Sequence, residues 1–251
     1  MTTLIFDMDG TLTEPTAKIT TEMMEAIRQI HPSHDLHLVT GSDMDKILRQ
    51  IPESFLLENF KMVFACNGTR VYNTDLDQDD ETGITEPELI QKFDLTDHYS
   101  QADLNHLISR LLQIASETHT KCKTGTFIEW RGSQINFSIV GRNCSSGQRE
   151  DYSKWDKKSG ERAKIAEKLR SEFSSWGLGF SLGGQISIDI TRKEWDKSFA
   201  LQFIKTSPED CHFFGDRIVQ GGNDYEIAMK CGRHSSVKGF EETIELLKQF
   251  H

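Results

Sequence analysis

The sequence predicts a doubly wound α/β domain with a parallel sheet, interrupted by an inserted α+β domain. Short apolar strands alternate with amphipathic helices at the start of the chain, and this alternation resumes after Trp195. Between these parts the pattern changes to paired, alternating strands flanked by two helices, which is typical of an antiparallel sheet. We therefore expect an α/β core from residues 1–86 and 189–251, and an α+β insertion from residues 87–188.

The first part of the core begins with an apolar strand and an amphipathic helix, predicted over residues 4–6 and 20–30. Further strands are predicted at residues 36–39, 62–65 and 70–72. Ser42, with Asp45 three residues later, is typical of a helix start. Because helices separate the first three strands, we expect those strands to run parallel.

The insertion has a different pattern. The acidic residues 75–88 lack hydrophobic periodicity and are predicted to form a solvated loop that links the domains. Helices with apolar faces are predicted at residues 104–115 and 165–176. Four strands are predicted at residues 126–131, 134–140, 180–182 and 186–190, the first two joined by a turn at Gly132 and Ser133.

The returning part of the core again alternates strand and helix. Its elements are predicted at residues 195–204 (helix), 211–214 (strand), after residue 224 (helix) and 244–250 (helix). Lys197 lies at the start of the first of these helices, and the strand ends in Gly215 and Asp216.

Composition and charge limit the class of protein. The chain has 251 residues, of which 36% are hydrophobic and 27% charged, as is ordinary for a globular protein. The formal net charge of −10 argues against sequence-independent binding to nucleic acid or to anionic membranes. We see no run long enough for a membrane helix and no signal-peptide pattern. The five cysteines lack disulfide or zinc spacing, which favours a cytoplasmic protein in a reducing environment.

Polar side chains follow three of the predicted core strands where each strand ends. They are Asp7 and Asp9 after the first strand, Thr40 and Ser42 after the second, and Asp216, Asn223 and Asp224 after the last. Because α/β folds bind ligands at the carboxyl ends of parallel strands, these oxygens can form a site suited to Mg²⁺. Lys197 adds a cation for a bound phosphoryl group, and a carboxylate beside Mg²⁺ can attack phosphorus.

These residues resemble the four motifs of the haloacid dehalogenase superfamily, of which Asp7-Met8-Asp9-Gly10-Thr11 is the first. The resemblance implies a Rossmann-like core with an inserted cap, in which Asp7 is the nucleophile and Asp9 the general acid/base. It implies that the phosphoryl group is held by Thr40, Ser42 and Lys197. The Mg²⁺ ligands implied in the same way are Asp7, Asp9, Asp216 and Asp224.

Four segments sharpen the resemblance: GTFIEWR, IVGRNCS, GGQISID and FFGDRIVQGGNDYEI, at residues 125–131, 139–145, 183–189 and 213–227. They closely resemble eukaryotic-type phosphomannomutases, and the similarity covers essentially the full length. The resemblance implies interconversion of mannose 6-phosphate and mannose 1-phosphate, a hexose 1,6-bisphosphate activator and a homodimer formed through the cap. The implied substrate-binding residues are Arg131, Arg142, Arg149, Ser187 and Asp189.

The pattern of the insertion supports these positions. Ser187 and Asp189 alternate with isoleucines, so one face of their strand is apolar and the other presents two polar groups. Arginine is well suited to bidentate phosphate binding, and the arginines beside the hairpin form the local basic cluster that an acidic chain needs for anions.

Several positions depart from the family pattern, among them Met8 and the Arg217-Ile218 pair, which stands in place of the customary Lys-Thr. Thr16 stands where a further substrate-binding arginine is usual, and Cys66 where a glutamate is usual. A sugar-phosphate phosphatase on the same scaffold is the alternative activity, because water can replace the sugar hydroxyl as acceptor. A catalytically inactive sugar-phosphate sensor is a third hypothesis, and the presence of both motif acids and Lys197 argues against it.

Overall fold

The computed structural model describes residues 2–75, 86–118 and 120–250, so most of the predicted acidic loop lies outside the described residues. The chain forms two compact units, the core (Met1–Lys92 and Glu194–His251) and the cap (Phe93–Lys193). The sequence predicted that the cap spans residues 87–188, and in the structure it spans Phe93–Lys193. Glu88–Lys92 pairs with a core strand, whereas Ser187–Arg192 pairs within the cap sheet, so each boundary lies several residues further along the chain.

Eleven strands and eight α-helices occur among the described residues. The strands are β1 (Thr2–Phe6), β2 (His34–Val39), β3 (Met62–Ala65), β4 (Arg70–Asn73), β5 (Glu88–Lys92), β6 (Ile128–Trp130), β7 (Ile135–Ser138), β8 (Leu178–Gly183), β9 (Ser187–Arg192), β10 (Cys211–Gly215) and β11 (Arg233–Ser236). The helices are α1 (Thr21–Ile30), α2 (Met44–Gln50), α3 (Glu53–Asn59), α4 (Gln101–Glu117), α5 (Ser146–Ser159), α6 (Glu161–Glu172), α7 (Tyr225–Lys230) and α8 (Phe240–Leu247). None of these helices is both long enough and apolar enough to span a membrane.

The core is built on a seven-stranded sheet in the order β11-β10-β1-β2-β3-β4-β5. The first five of these strands run parallel, and β4 and β5 are antiparallel to their neighbours. Leu4 and Phe6 of β1 pack on one face with α1, α3 and α8, while Ile5 packs on the other face with residues 197–203 and α7. Both faces are covered, as a parallel sheet requires, and the predicted doubly wound core is confirmed.

The cap contains a four-stranded antiparallel sheet in the order β6-β7-β9-β8, together with α4, α5 and α6. One face of this sheet is apolar, because Phe137 of β7 lies opposite Ile188 of β9 and both are fully buried. The predicted α+β character of the insertion is confirmed.

Several predicted elements differ in detail. Helix α2 begins one residue later than expected, because the Asp43 carboxylate, rather than Ser42, accepts the capping hydrogen bond from Lys46 N at 2.8 Å. The helix predicted at residues 195–204 is a 3₁₀ helix over Lys197–Phe203. Helix α5 is absent from the prediction because few of its side chains are buried, although Ser145 and Gln148 form a capping box at its start.

His37 is a buried polar residue in the centre of the core sheet. It lies on β2, 5% exposed, and its Nδ1 has no hydrogen-bond partner among the described residues. Burial lowers the pKa of this imidazole from its ordinary value of 6.5 to about 4. The folded protein therefore holds His37 neutral at pH values where the unfolded chain takes up a proton.

We expect this difference to destabilise the core as the pH falls from about 6.5 to 4. Above pH 6.5 His37 is neutral in both states, and below it only the unfolded state gains the proton. Between pH 7 and 5 the loss amounts to about 2 kcal/mol for this one group. Urea denaturation of His37→Leu should show a smaller loss over this interval, and the exposed cap variant His98→Gln should behave as the wild type. An unchanged pH dependence in His37→Leu would contradict the prediction.

Candidate active site

Asp7 lies where the chain leaves the core sheet at the end of β1. Its amide still donates to Phe214 O at 2.9 Å, so its position is tied to β10. The next residues form a tight turn, in which Gly10 N donates to Thr13 O at 2.7 Å and the carbonyl of Met8 accepts from three successive amides. The Asp7 side chain is therefore held at the carboxyl edge of the parallel strands, as predicted.

Three carboxylates and one ammonium group meet at this edge. Carboxylate oxygens of Asp7, Asp216 and Asp224 lie within 4.8 Å of one another. Lys197 Nζ donates to Asp7 Oδ1, and to Asp224 Oδ1 at 2.5 Å. Asp7, Lys197 and Asp224 are buried and Asp216 is half-buried. Four of the predicted site residues, from three separate parts of the chain, thus form one cluster, which we call the acidic cluster.

Two glycines make room for this cluster. Gly10 has a φ of 88°, and a Cβ at this position would lie 2.7 Å from Asp216 Oδ2. A Cβ on Gly215 would lie 2.7 Å from Asp224 Oδ2. Side chains at these positions would therefore displace the carboxylates, and at Gly10 the backbone conformation also favours glycine.

The acidic cluster has more negative than positive charge. Burial raises the pKa of Asp7, and the neighbouring Asp224 adds to this effect while Lys197 opposes it. Burial and Asp224 also raise the pKa of Asp216. Burial would lower the pKa of Lys197, but the two carboxylates that contact it raise that pKa above its ordinary value. The three carboxylates offer hard oxygen donors, and the single ammonium group does not balance their charge. The cluster therefore fits a site for a divalent cation such as Mg²⁺.

The Asp9 side chain lies outside the acidic cluster. Its carboxylate accepts hydrogen bonds from Lys46 Nζ at 2.6 Å, Gln50 Nε2 at 3.2 Å and Thr16 N at 2.9 Å. Burial would raise the pKa of Asp9, but these donors outweigh it and hold the pKa below its ordinary value. The structure thus places the Asp9 carboxylate apart from the other three predicted Mg²⁺ ligands. It is hydrogen-bonded instead to the turn after β1 and to α2.

Lys46 and Gln50 are site residues that the sequence interpretation misses. Both lie on α2, four residues apart, so they share one face of that helix. Their spacing was visible in the sequence, but nothing in it showed that this face meets the turn after β1. Thr16, which departs from the family pattern, has a φ of 68° and contributes its backbone amide.

Thr40 and Ser42 follow β2, the strand next to β1. Thr40 is buried, and its Oγ1 accepts a hydrogen bond from Ser42 N at 3.2 Å. Ser42 is half-buried. These two of the three predicted phosphoryl-binding residues therefore lie just beyond the end of β2, the strand that neighbours β1.

The cap sheet carries a row of polar side chains on the face opposite its apolar one. Glu129, Asn136 and Asp189 lie directly opposite one another on β6, β7 and β9. Asn136 Nδ2 donates to Asp189 Oδ1 at 2.6 Å, and Arg142 Nη1 donates to Asn136 Oδ1 at 3.1 Å. Glu129 accepts a hydrogen bond from Arg131 Nε at 2.8 Å and forms an ion pair with Arg142. We call these five side chains the cap polar row.

The cap polar row contains three of the five predicted substrate-binding residues. Ser187 lies on the same face of β9 as Asp189 but is 3% exposed. Arg149 lies on α5, is half-buried and has no side-chain partner among the described residues. The sequence interpretation misses Glu129 and Asn136, although the predicted turn at Gly132 and Ser133 sets the register that brings them together.

The cap also contains a cavity of about 500 Å³, which holds none of the predicted site residues. It is lined by Thr120, Lys121, Cys122, Val140, Gln148, Asp151, Tyr152, Lys154, Trp155 and Lys158.

Comparison with solved structures supports the fold class. An IMP-nucleotidase of Plasmodium falciparum superposes with a TM-score of 0.63 and 14% identity, over 100% of this chain and 68% of that one. A haloacid dehalogenase-like hydrolase of Bacteroides thetaiotaomicron superposes with a TM-score of 0.60 and 12% identity, over 100% of this chain and 99% of that one. At these identities the likeness shows the fold alone. The sheet order and the inserted cap define a haloacid dehalogenase-like fold.

Comparison of sequences defines the family more narrowly. The eukaryotic phosphomannomutase family model matches residues 23–250. A phosphomannomutase of Dendrobium officinale is 38% identical over 224 residues, which cover 89% of this chain and 83% of that one. Phosphomannomutase 2 of Dictyostelium discoideum is 34% identical over 255 residues, covering 99% and 96%. The chain belongs to the eukaryotic phosphomannomutase family.

The Lys197 ion pairs predict a stability effect. We expect Lys197→Met to lower the free energy of unfolding by about 3–5 kcal/mol, because Asp7 and Asp224 would remain buried without their cation. Urea denaturation without added metal measures this loss. Lys248→Met removes an exposed pair with Glu245 and should change the free energy by less than about 0.5 kcal/mol. An equally small change in Lys197→Met would show that the buried pairs contribute little to stability.

Proposed function

We propose that the protein is a phosphomannomutase that interconverts mannose 6-phosphate and mannose 1-phosphate through an aspartyl-phosphate on Asp7. The observation that carries this proposal is the acidic cluster, in which the buried Lys197 contacts a strand-terminal aspartate. This arrangement occurs in a chain of the phosphomannomutase family, whose relatives match it over most of its length.

Asp7 is the nucleophile in this proposal. One of its carboxylate oxygens attacks a phosphorus atom of a hexose 1,6-bisphosphate activator, and the bond from phosphorus to the sugar oxygen breaks. A hydroxyl of the hexose phosphate substrate later attacks the same phosphorus atom and releases Asp7. The Lys197 ammonium lies within hydrogen-bond reach of Asp7, where it offsets repulsion between the carboxylate and the phosphoryl group.

We infer that Mg²⁺ is held by Asp7, Asp216 and Asp224, whose excess negative charge supports a divalent cation. When bound, Mg²⁺ supplies positive charge that stabilises the phosphoryl group in the transition state. Thr40 and Ser42 are proposed to donate hydrogen bonds to the phosphoryl oxygens.

Asp9 is proposed to be the general acid/base. Its pKa is held below the ordinary value, so the carboxylate is ionised at neutral pH, ready to accept the proton of the attacking sugar hydroxyl. The same group then protonates the leaving sugar oxygen in the other half-reaction. The contacts with Lys46, Gln50 and Thr16 support this role by fixing its orientation.

The non-reacting phosphate and the sugar are proposed to bind the cap. Arg131, Arg142 and Arg149 supply the positive charge for the phosphate, and Ser187 and Asp189 the polar groups for phosphate and sugar. Arg131 and Arg142 share Glu129 as a partner, which supports a common anion site.

A sugar-phosphate phosphatase is the second candidate, and Thr16 favours it because the usual arginine is missing. A weaker hold on the substrate would leave the aspartyl-phosphate open to attack by water.

One assay separates these activities. With mannose 1-phosphate, Mg²⁺ and glucose 1,6-bisphosphate, we expect mannose 6-phosphate to form in excess of free phosphate. Asp7→Asn should lower this rate by at least about 10³-fold, because the amide is a poor nucleophile. Free phosphate without isomerisation would identify a phosphatase, and full activity in Asp7→Asn would exclude the aspartyl-phosphate.

We also propose a cytoplasmic homodimer formed through the cap. The five free cysteines support a reducing compartment.

Exposed Leu112, Trp130 and Leu182 in the cap support a dimer interface there. Light scattering should give a mass of about twice 28.7 kDa, and Leu112→Glu or Trp130→Glu should lower it if the cap is the interface. A monomeric wild type would exclude the dimer.

A further inference from the structure

Glu129 forms ion pairs with Arg131 and Arg142, two of the arginines that we propose bind the substrate phosphate. Arg131 Nε donates to Glu129 Oε2 at 2.8 Å, and Arg142 Nε lies 3.2 Å from the same oxygen. The three side chains are between 34% and 38% exposed, so solvent and small anions reach them. One carboxylate thus pairs with two guanidinium groups.

The position of Glu129 is set by the sheet and not by a flexible loop. It lies on β6 opposite Asn136, which in turn lies opposite Asp189 on β9. Asn136 contacts both Arg142 and Asp189, so it holds Arg142 in place independently of Glu129. Loss of the Glu129 charge would therefore leave Arg142 with a neutral hydrogen-bond partner.

The charges of this group allow an exchange of anions. Arg131, Arg142 and Glu129 together carry a net charge of +1, and Asp189, which bonds to Asn136, brings the whole cap polar row to zero. A phosphate is therefore attracted by the two guanidinium groups and not by the net charge of the row. Carboxylate and phosphate oxygens both match the fork of donors on a guanidinium group. A phosphate that binds the two arginines must then displace Glu129 or share them with it.

We propose that the Glu129 carboxylate competes with the substrate phosphate for Arg131 and Arg142. This competition sets the affinity of the cap for the substrate phosphate. The inference rests on the proposed function. A mutase must release the bisphosphate intermediate and bind it again by its other end. Each time the phosphate leaves the cap, Glu129 pairs with the two arginines again. The arginines are then not left without a partner, so the phosphate is released faster.

The test is Glu129→Gln, which keeps the shape of the side chain and removes its charge. We expect the Kd for mannose 1-phosphate, measured by calorimetry, to fall on the order of fivefold, as expected from the loss of partly exposed competing ion pairs. We expect kcat of the mutase reaction to fall as well, by about two- to fivefold, because release becomes slower. Glu167→Gln removes another exposed cap pair, with Arg170, and should leave both quantities unchanged.

Weaker or unchanged binding in Glu129→Gln would overturn the proposal, and weaker binding would make Glu129 a positioning residue for the arginines. An unchanged melting temperature would exclude misfolding as the cause. Arg142→Gln separates this inference from the proposed function. If Arg142→Gln loses binding while Glu129→Gln does not gain it, only the inference fails. If Arg142→Gln binds mannose 1-phosphate like the wild type, the proposed cap site fails as well.

Discussion

The buried ammonium group of Lys197, held between Asp7 and Asp224, is the interaction on which the core site depends. Ions taken out of water cost several kcal/mol each unless they are closely paired, so each of the three offsets the cost of burying the others. Lys197 and Asp7 are separated by 190 residues, and the whole cap lies between them in the chain. The pair therefore forms only when the two core segments on either side of the insertion come together.

The sheet provides the framework for this pair. Strand β1 lies between β10 and β2, so the residues that follow these three strands adjoin at one edge. Gly10 and Gly215 leave space for the carboxylates of Asp216 and Asp224. The acidic cluster carries a net negative charge, whereas the cap polar row presents two arginines beside Glu129 and Asp189. The two units thus supply different parts of the proposed chemistry: a nucleophile and metal ligands in the core, and an anion site in the cap.

Much of this arrangement could be predicted from the sequence, because strand ends, glycines and alternating residues are local signals. Asp7, Asp216, Asp224 and Lys197 were found this way, and the structure brings them together. Contacts that depend on packing between elements could not be predicted. The hydrogen bond from Lys46 to Asp9 depends on how α2 packs against the turn after β1. Strand β5 could not be predicted either, because it is exposed throughout and lacks an alternating hydrophobic pattern. Glu129 is an intermediate case, since the hairpin turn sets its register but not its partners.

Reduction of the phosphorylated protein tests the central claim most directly. After incubation with glucose 1,6-bisphosphate, borohydride converts an aspartyl-phosphate to homoserine, which peptide mass spectrometry locates. The account predicts homoserine at position 7, dependent on the bisphosphate and lost when Lys197 is replaced by Met. Homoserine at another aspartate, or no trapped residue in a protein with mutase activity, would contradict it.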